Sequence, residues 1–183
     1  MGFLREYVKQ PATIGAIAPS SKQLAGKMIQ PIQFQNCRGI VEYGPGTGVF
    51  TDEIVLRKEE DTIFLVIEQN QQFYKDLKER YAHRKNVYVI HGDAADINLY
   101  AAQYHMPEVN YVVSGLPFTS LPKEVSTKIF RETQRALGQK GRFIIFQYTL
   151  LKKKLFLQWF HLEQTLFEIR NLPSAFVLVM RNR

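Results

Sequence analysis

The sequence predicts an α/β fold: a mostly parallel sheet of seven strands, with helices on both faces and a C-terminal antiparallel hairpin. Apolar runs of strand length alternate with amphipathic segments of helix length over residues 39–148, which is typical of a parallel sheet. A glycine-rich turn stands where the first strand meets its helix. Two further apolar runs near the C-terminus are separated only by a short turn, which favours a hairpin.

The predicted elements follow one another without a linker that would divide the chain. Residues 1–10 form an amphipathic helix that Pro11 ends, and a second helix runs from an N-cap at Ser20 or Ser21 to about Ile29. Strands are predicted at about 39–43, 62–67, 86–90, 109–113 and 141–148, with helices at about 48–59, 70–82, 94–104 and 121–137 between them. A helix at about 151–162 precedes strands at 165–170 and 175–181. We expect one domain over residues 1–183, with basic amphipathic helices at 1–30 and a core at 38–181.

The net charge of +7 is concentrated at the two ends of the sequence. Residues 1–30 hold four basic side chains and one acidic side chain. Residues 151–183 hold six basic and two acidic side chains, and the stretch between the two ends is neutral. Basic ends on a neutral body fit docking onto a polyanion, either a nucleic acid or an anionic membrane. The same charge also serves plain solubility.

Several classes of protein are excluded by composition. Cys37 is the only cysteine, so we expect neither a disulfide framework nor a thiolate metal site. No apolar stretch approaches the roughly 18 residues that span a bilayer. Arg5, Glu6 and Lys9 interrupt the region where a signal peptide would be apolar. We therefore expect a cytoplasmic protein.

A glycine-rich turn follows the first predicted strand, in the sequence Glu42-Tyr43-Gly44-Pro45-Gly46-Thr47-Gly48. Glycines in such a turn let the backbone approach a ligand at the carboxyl edge of the sheet. The spacing is Gly-x-Gly-x-Gly, and Val49 stands where the dinucleotide fingerprint requires its third glycine. Glu42 would also repel a pyrophosphate. The turn disfavours NAD and suits a ligand that carries a cationic group.

Acidic residues end the next two predicted strands. Glu68, followed by Gln69, lies 22 residues beyond Gly46, the usual distance of a ribose-binding acid. Asp93, in Gly92-Asp93-Ala94, ends the third strand within reach of an adenine amino group. A single acid of this kind is typical of a helix cap, whereas three at successive strand tips predict a nucleoside site.

With these motifs the sequence resembles the class I S-adenosylmethionine-dependent methyltransferases over about residues 38–181. The resemblance implies a Rossmann-like fold and S-adenosylmethionine as the cofactor. It also implies that Glu42 and the glycine backbone hold the methionine portion, that Glu68 binds the ribose, and that Asp93 and Ala94 contact the adenine. The expected cofactor-binding residues are Glu42, Tyr43, Gly44, Gly46, Thr47, Gly48, Glu68, Gln69, Gly92, Asp93, Ala94 and Ser114.

The fourth predicted strand leads into an acceptor loop, Ser114-Gly115-Leu116-Pro117-Phe118. The loop resembles the fourth motif of amino-group methyltransferases, which reads Asn-Leu-Pro-Tyr or Asn/Asp-Pro-Pro-Tyr in adenine-modifying enzymes. There the Asn or Asp accepts a hydrogen bond from the target amine, but Gly115 has no such side chain. We expect Ser114, Leu116, Pro117 and Phe118 to line the acceptor site, with the Phe118 ring facing a methylated cation. Tyr148 or Tyr7 could also face that cation, and His91, Asp93 and Tyr148 are candidates for the base.

The sequence is also similar to the bacterial phospholipid N-methyltransferases, which are relatives of the rRNA adenine dimethyltransferases. Three segments carry this resemblance: the acceptor loop, Gly15-Ala16-Ile17-Ala18-Pro19-Ser20-Ser21 and Asn171-Leu172-Pro173-Ser174-Ala175-Phe176-Val177. In the last segment, Ser174 replaces an expected proline. It implies methylation of phosphatidylethanolamine-type lipids. Because the sequence ends after the hairpin, we do not expect the helical RNA-gripping domain of rRNA dimethylases.

The basic ends are amphipathic, which predicts where a lipid-modifying enzyme would meet its membrane. Residues 1–10 set Phe3, Leu4, Tyr7 and Val8 against charged residues, and Lys152-Lys153-Lys154 precede Leu155, Phe156, Trp159 and Phe160. Such segments suit an interfacial helix, where each lysine contributes about 1 kcal/mol near anionic lipid. An anionic membrane surface or a phospholipid is the expected partner, with the protein peripheral on the inner face of the cell membrane. For residues 155–162, the alternative is that the aromatic side chains pack on the sheet.

Other functions remain open. An RNA adenine N6-methyltransferase without an appended domain would use the basic ends and stack Phe118 on a flipped base. A small soluble amine could also be the acceptor. A cofactor-binding module without activity is opposed by the three strand-tip acids. The sequence indicates no protein partner.

Overall fold

A seven-stranded mixed sheet with strand order β3-β2-β1-β4-β5-β7-β6 organises the computed structural model, which describes residues 21–183. Strand β7 runs antiparallel to both of its neighbours, and the other pairs are parallel. The predicted fold class, with its C-terminal antiparallel hairpin, is confirmed. The strands are β1 (Gly39–Tyr43), β2 (Ile63–Glu68), β3 (Val87–His91), β4 (Val109–Ser114), β5 (Leu137–Gln147), β6 (Phe160–Glu168) and β7 (Ala175–Asn182).

Helices cover both faces of this sheet. Helix α1 starts where it was predicted, because the Ser21 hydroxyl accepts a hydrogen bond from the Leu24 N–H at 3.1 Å and caps the first turn. The helix predicted at residues 1–10 lies outside the described residues. The helices of the described chain are α1 (Lys22–Ile29), α2 (Val49–Arg57), α3 (Gln71–Arg80), α4 (Ile97–Gln103), α5 (Lys123–Ala136) and α6 (Lys153–Leu157).

Alternate residues of each central strand enter two separate cores. In β1, Ile40 packs with helices α1, α2 and α3, whereas Val41 packs with α4, α5 and α6 on the other face. Strands buried on both faces need almost continuous apolar sequence, and β1, β2 and β4 are buried along nearly their whole length. Glu42 is the charged residue in the apolar sequence of β1, and it is also buried. Packing of the sheet therefore does not explain why a carboxyl group lies at this position.

The structure overturns the prediction of a helix over residues 151–162. Helix α6 ends at Leu157, and strand β6 begins at Phe160. The rings of Phe156 and Phe160 are fully buried, with centroids 5.7 and 6.0 Å from the centroid of Phe130. The alternative of packing on the sheet is therefore correct for these two side chains. Strand β5 also begins at Leu137, four residues earlier than predicted.

No helix among the described residues has both the length and the apolar character needed to cross a membrane.

Candidate active site

Four strand tips are held side by side at the carboxyl edge of the sheet. The Gly44 N–H donates to the Ile67 carbonyl at 3.0 Å, and the Gly92 N–H donates to the Glu68 carbonyl at 3.1 Å. On the other side, the Gly115 N–H donates to the Tyr43 carbonyl at 2.9 Å. The strand ladders thus continue past β1, β2, β3 and β4 into the loops that carry the predicted site.

The turn after β1 exposes its backbone to the space above the sheet. Gly44, Gly46 and Gly48 all have positive φ angles, a conformation that glycine adopts without strain. A Cβ placed on Gly46 would meet nothing within 4 Å, so this residue borders open space. Thr47 is exposed beside it. A ligand can therefore lie directly against the peptide groups of this turn.

Glu42 lies beneath that turn and is completely buried. One carboxylate oxygen accepts a hydrogen bond from the Thr51 hydroxyl at 2.8 Å, and Oε1 has no hydrogen-bond partner. Burial raises the pKa of Glu42 to about 8, an effect that the Thr51 hydroxyl opposes and the nearby carboxylates of Glu68 and Asp52 reinforce. A buried carboxyl with a free oxygen is suited to a ligand that brings a positive charge. Thr51 was not among the site residues predicted from the sequence.

Glu68 ends β2 directly beside the glycine turn. Its carboxylate accepts hydrogen bonds from the Gly46 N–H at 3.1 Å and the Asn70 N–H at 2.7 Å. The side chain is 5% exposed, and burial raises its pKa even though these N–H groups oppose the shift. The structure thus brings together the first two predicted acids, with Glu68 bonded to the turn that covers Glu42.

Asp93 begins the short helical turn Ala94–Asp96, where its carboxylate accepts the Ala95 N–H at 2.9 Å. Ala94 is buried, and Gly92 lies so close to Tyr100 that a Cβ would stand 2.0 Å from the Tyr100 hydroxyl. Tyr100, from α4, therefore covers this third strand tip. Tyr100 was not among the site residues predicted from the sequence. An aromatic residue on the helix that follows an acidic strand tip is a pattern that could have identified it.

The acceptor loop is held closely against the glycine turn. The Ser114 hydroxyl is buried and accepts the Leu116 N–H at 3.1 Å. A Cβ on Gly115 would lie 2.6 Å from the Gly44 carbonyl oxygen, so only glycine fits there while the turn keeps its position. The Leu116 side chain in turn packs over Gly44. Packing thus requires the absence of a side chain at residue 115.

Two predicted site residues point their rings into the core. Phe118 is 1% exposed and its ring centroid lies 4.7 Å from that of Phe130, so the expectation that this ring faces an acceptor is not met. The Tyr43 ring is fully buried, with its hydroxyl 3.0 Å from the Thr133 hydroxyl. Tyr43 reaches the site only through its carbonyl oxygen.

The sheet order separates two candidate bases from the acceptor loop. Strands β3 and β4 are three strand spacings apart, about 14 Å, although they follow one another in the sequence. His91 and Asp93 therefore lie at the far side of the site, where the His91 ring also stacks on Tyr74 and its Nε2 contacts the Gln69 carbonyl at 3.0 Å. Tyr148 follows β5, the neighbour of β4, and is half-buried against Phe146.

Solved structures with the same architecture identify the fold of this protein. TrmN from Thermus thermophilus matches with a TM-score of 0.70 at 14% identity, over 98% of this chain and 53% of that one. The N-methyltransferase NodS from Bradyrhizobium japonicum, in complex with S-adenosyl-L-homocysteine, matches with a TM-score of 0.65 at 11% identity. The match covers 87% of this chain and 84% of that one. The fold is that of the Rossmann-like methyltransferases.

Sequence relatives identify the family. A family model described as ribosomal RNA adenine dimethylase matches residues 20–158. Ornithine lipid N-methyltransferase from Singulisphaera acidiphila is 34% identical over 174 residues, which cover 94% of this chain and 91% of that protein. The chain belongs to the rRNA adenine dimethylase family and is an S-adenosylmethionine-dependent methyltransferase. The unpartnered Oε1 of Glu42 and the open space at Gly46 fit a cofactor with a cationic amino-acid end and a nucleoside.

We predict that Gly115→Ala weakens binding of S-adenosylhomocysteine about tenfold or more, because its Cβ displaces the Gly44 carbonyl and with it the glycine turn. Calorimetric titration measures this affinity. Gly26→Ala is the matched control, since a Cβ at Gly26 in α1 meets nothing within 4 Å. Equal affinity in both variants would show that the two loops do not constrain each other.

We also predict that the free energy of unfolding contains a contribution from Glu42 that falls as pH rises. Between about pH 4.5 and 8 the folded chain keeps a proton on Glu42 that the unfolded chain releases, so rising pH favours unfolding. Urea unfolding of the wild type and Glu42→Gln at pH 5 and pH 8 isolates this contribution. Relative to the variant, the wild type should lose at least about 1 kcal/mol over that range. Parallel pH dependences would contradict a raised pKa.

Proposed function

We propose that this enzyme transfers the methyl group of S-adenosylmethionine to the amine of a membrane-lipid head group, at the surface of an anionic membrane. The observation that carries the proposal is an exposed apolar and basic rim around the acceptor loop. The 34% identity to an ornithine lipid N-methyltransferase along 94% of the chain supports a lipid acceptor. Phosphatidylethanolamine-type lipids are the first substrates to test, together with amine lipids built on an amino acid.

The cofactor lies, in this proposal, along the tips of β1, β2 and β3. The glycine turn and Glu42 hold the cationic amino-acid end, Glu68 accepts the ribose hydroxyls, and Asp93 with Ala94 borders the adenine. Gly92, Gln69 and Ser114 complete this edge through their main chains or buried side chains. The bound cofactor supplies an activated methyl group on a sulfonium.

The protein's own contribution to transfer is to position the amine and exclude water. The ammonium proton would be lost to solvent before the amine enters the site; the neutral nitrogen would then take the methyl group, and the electron pair of the S–CH3 bond would remain on the cofactor's sulfur. Gly115 leaves the amine without a side-chain acceptor, so the loop selects by shape. Leu116 and Pro117 are partly buried and border the space beside the glycine turn.

The exposed rim, hereafter the docking rim, consists of Leu151, Ile169 and Leu172. Their exposed fractions are 89%, 74% and 89%. Gln147 pairs with Phe176, so the β6–β7 turn lies at the carboxyl end of β5, on the same edge as the acceptor loop. Lys154 and Arg170 are exposed beside these residues in sequence. Apolar side chains flanked by cations suit an anionic bilayer surface.

The start of the described chain reaches the same edge. The Ser21 hydroxyl donates to the Asn171 side-chain oxygen at 2.7 Å, which ties the first residue of the described fold to the β6–β7 turn. The preceding sequence, which includes the predicted amphipathic helix at residues 1–10, therefore joins the fold beside the docking rim. This placement supports the hypothesis that the N-terminal segment contacts the same membrane.

The test of this function is the fate of a labelled methyl group. Purified enzyme, methyl-labelled S-adenosylmethionine, liposomes containing phosphatidylethanolamine or an ornithine lipid, and unmodified ribosomal RNA are incubated together and then extracted with solvent. We expect label in the lipid phase, and the two liposome types tell which amine is used. The family model leaves rRNA adenine as the second candidate acceptor, and label in RNA alone would refute the lipid proposal.

We predict that Leu151→Ser combined with Leu172→Ser weakens binding to anionic liposomes at least about tenfold, because two apolar side chains no longer enter the bilayer interface. Liposome sedimentation measures the effect. Leu56→Ser is the matched control, since Leu56 is 75% exposed but lies at the end of α2, on the opposite edge of the sheet. An equal loss in the control would mean that the docking rim has no special role.

A further inference from the structure

An open cleft of about 420 Å³ lies beside the acceptor loop, and the proposed transfer reaction does not account for it. Its walls come from the loop after β4, the start of α5 and helix α6. The residues that form them include Phe118, Thr119, Leu121, Lys123, Lys152 and Leu155. The cleft therefore combines apolar surface with two lysines.

The cleft is close to the strand tips. Phe118 is four residues beyond Ser114, a separation of at most about 14 Å in a fully extended chain. The hydrogen bond from the Phe118 N–H to the Leu116 carbonyl, at 3.0 Å, bends the loop and shortens that distance. The cleft therefore begins less than about 14 Å from Ser114, within reach of a substrate whose amine lies beside Ser114.

The charge of the cleft is entirely positive. Lys152 Nζ donates to the Thr119 carbonyl at 2.9 Å, which places this ammonium group over the acceptor loop. Lys123 enters from the first turn of α5, and both lysines are exposed. Within residues 21–183 neither lysine forms an ion pair with a carboxylate, and none of the described lining residues is acidic. Two unneutralised cations beside one cleft attract an anionic group.

We propose that Lys123 and Lys152 bind the anionic group of a zwitterionic head group, a phosphate or a carboxylate, while its amine faces the cofactor. This inference rests on the proposed lipid methyltransferase function and adds the second recognition element of the substrate. Holding the anion at a fixed distance from the amine orients the nitrogen for in-line transfer. Leu155, which is only partly buried, supplies apolar surface for the first atoms of the acyl chains.

The test compares substrates with and without the anion. Monomeric short-chain phosphatidylethanolamine, a short-chain N-acyl ornithine and an alkylamine of similar length are methylated by the wild type and by Lys123→Gln, Lys152→Gln and the double variant. We expect each single change to raise KM about five- to tenfold for substrates with an anion, with kcat within about twofold. The KM for the alkylamine should not change. Lys152→Arg should restore most of the loss because it keeps the charge.

The controls separate this inference from the proposed function. Lys140→Gln removes an exposed lysine near the start of β5, away from the carboxyl edge, and should leave every KM unchanged. If only the phosphate or only the carboxylate substrate responds, that anion is the one bound. If the wild type methylates lipid amines but the double variant keeps its KM, the cleft does not bind the anion. An equal rise in KM for the alkylamine would assign Lys152 to loop structure alone, and a wild type inactive on all lipid amines would refute the proposed function itself.

Discussion

The close contact between the turn after β1 and the loop after β4 is the constraint on which the rest of the site depends. The Gly115 N–H donates to the Tyr43 carbonyl, and the missing Cβ of Gly115 lets the Gly44 carbonyl approach. This contact joins the cofactor edge to the acceptor loop, so a change at residue 115 acts on both. An asparagine or aspartate at residue 115, as in the adenine-modifying motif that the loop resembles, would fit only with a displaced turn.

The burial of two acidic side chains at the strand tips is the second feature that defines the site. Glu42 and Glu68 are held in the sheet at a cost in free energy, because burial favours their neutral forms. The proposed function explains their retention in a core of otherwise apolar strands by a cofactor that brings a cation and hydroxyl donors to the same edge. The acceptor half of the site has a different character, with lysines and exposed leucines in place of carboxylates.

The sequence was sufficient to predict the sheet, the glycine turn and the acids at the strand tips, because these follow from local pattern and from the rule that parallel strands present their carboxyl ends together. It was insufficient where tertiary packing decides. Phe156 and Phe160 have helical spacing, yet burial against Phe130 places them in a short helix and a strand. His91 lies on β3, which directly precedes β4 and the acceptor loop in the sequence but is three strand positions away from β4 in the sheet. Phe118 turns inward to fill the same aromatic core.

Binding of S-adenosylhomocysteine to Glu68→Gln tests the central claim, that the tips of β1 and β2 hold the nucleoside, most directly. Glutamine has nearly the shape of Glu68 and can keep one of its contacts to the Gly46 and Asn70 N–H groups. It lacks the charge that, in the proposed function, accepts two ribose hydroxyls. Calorimetry should show an affinity at least about tenfold lower, with the urea midpoint nearly unchanged. An unchanged affinity would place the ribose elsewhere and contradict this account of the site.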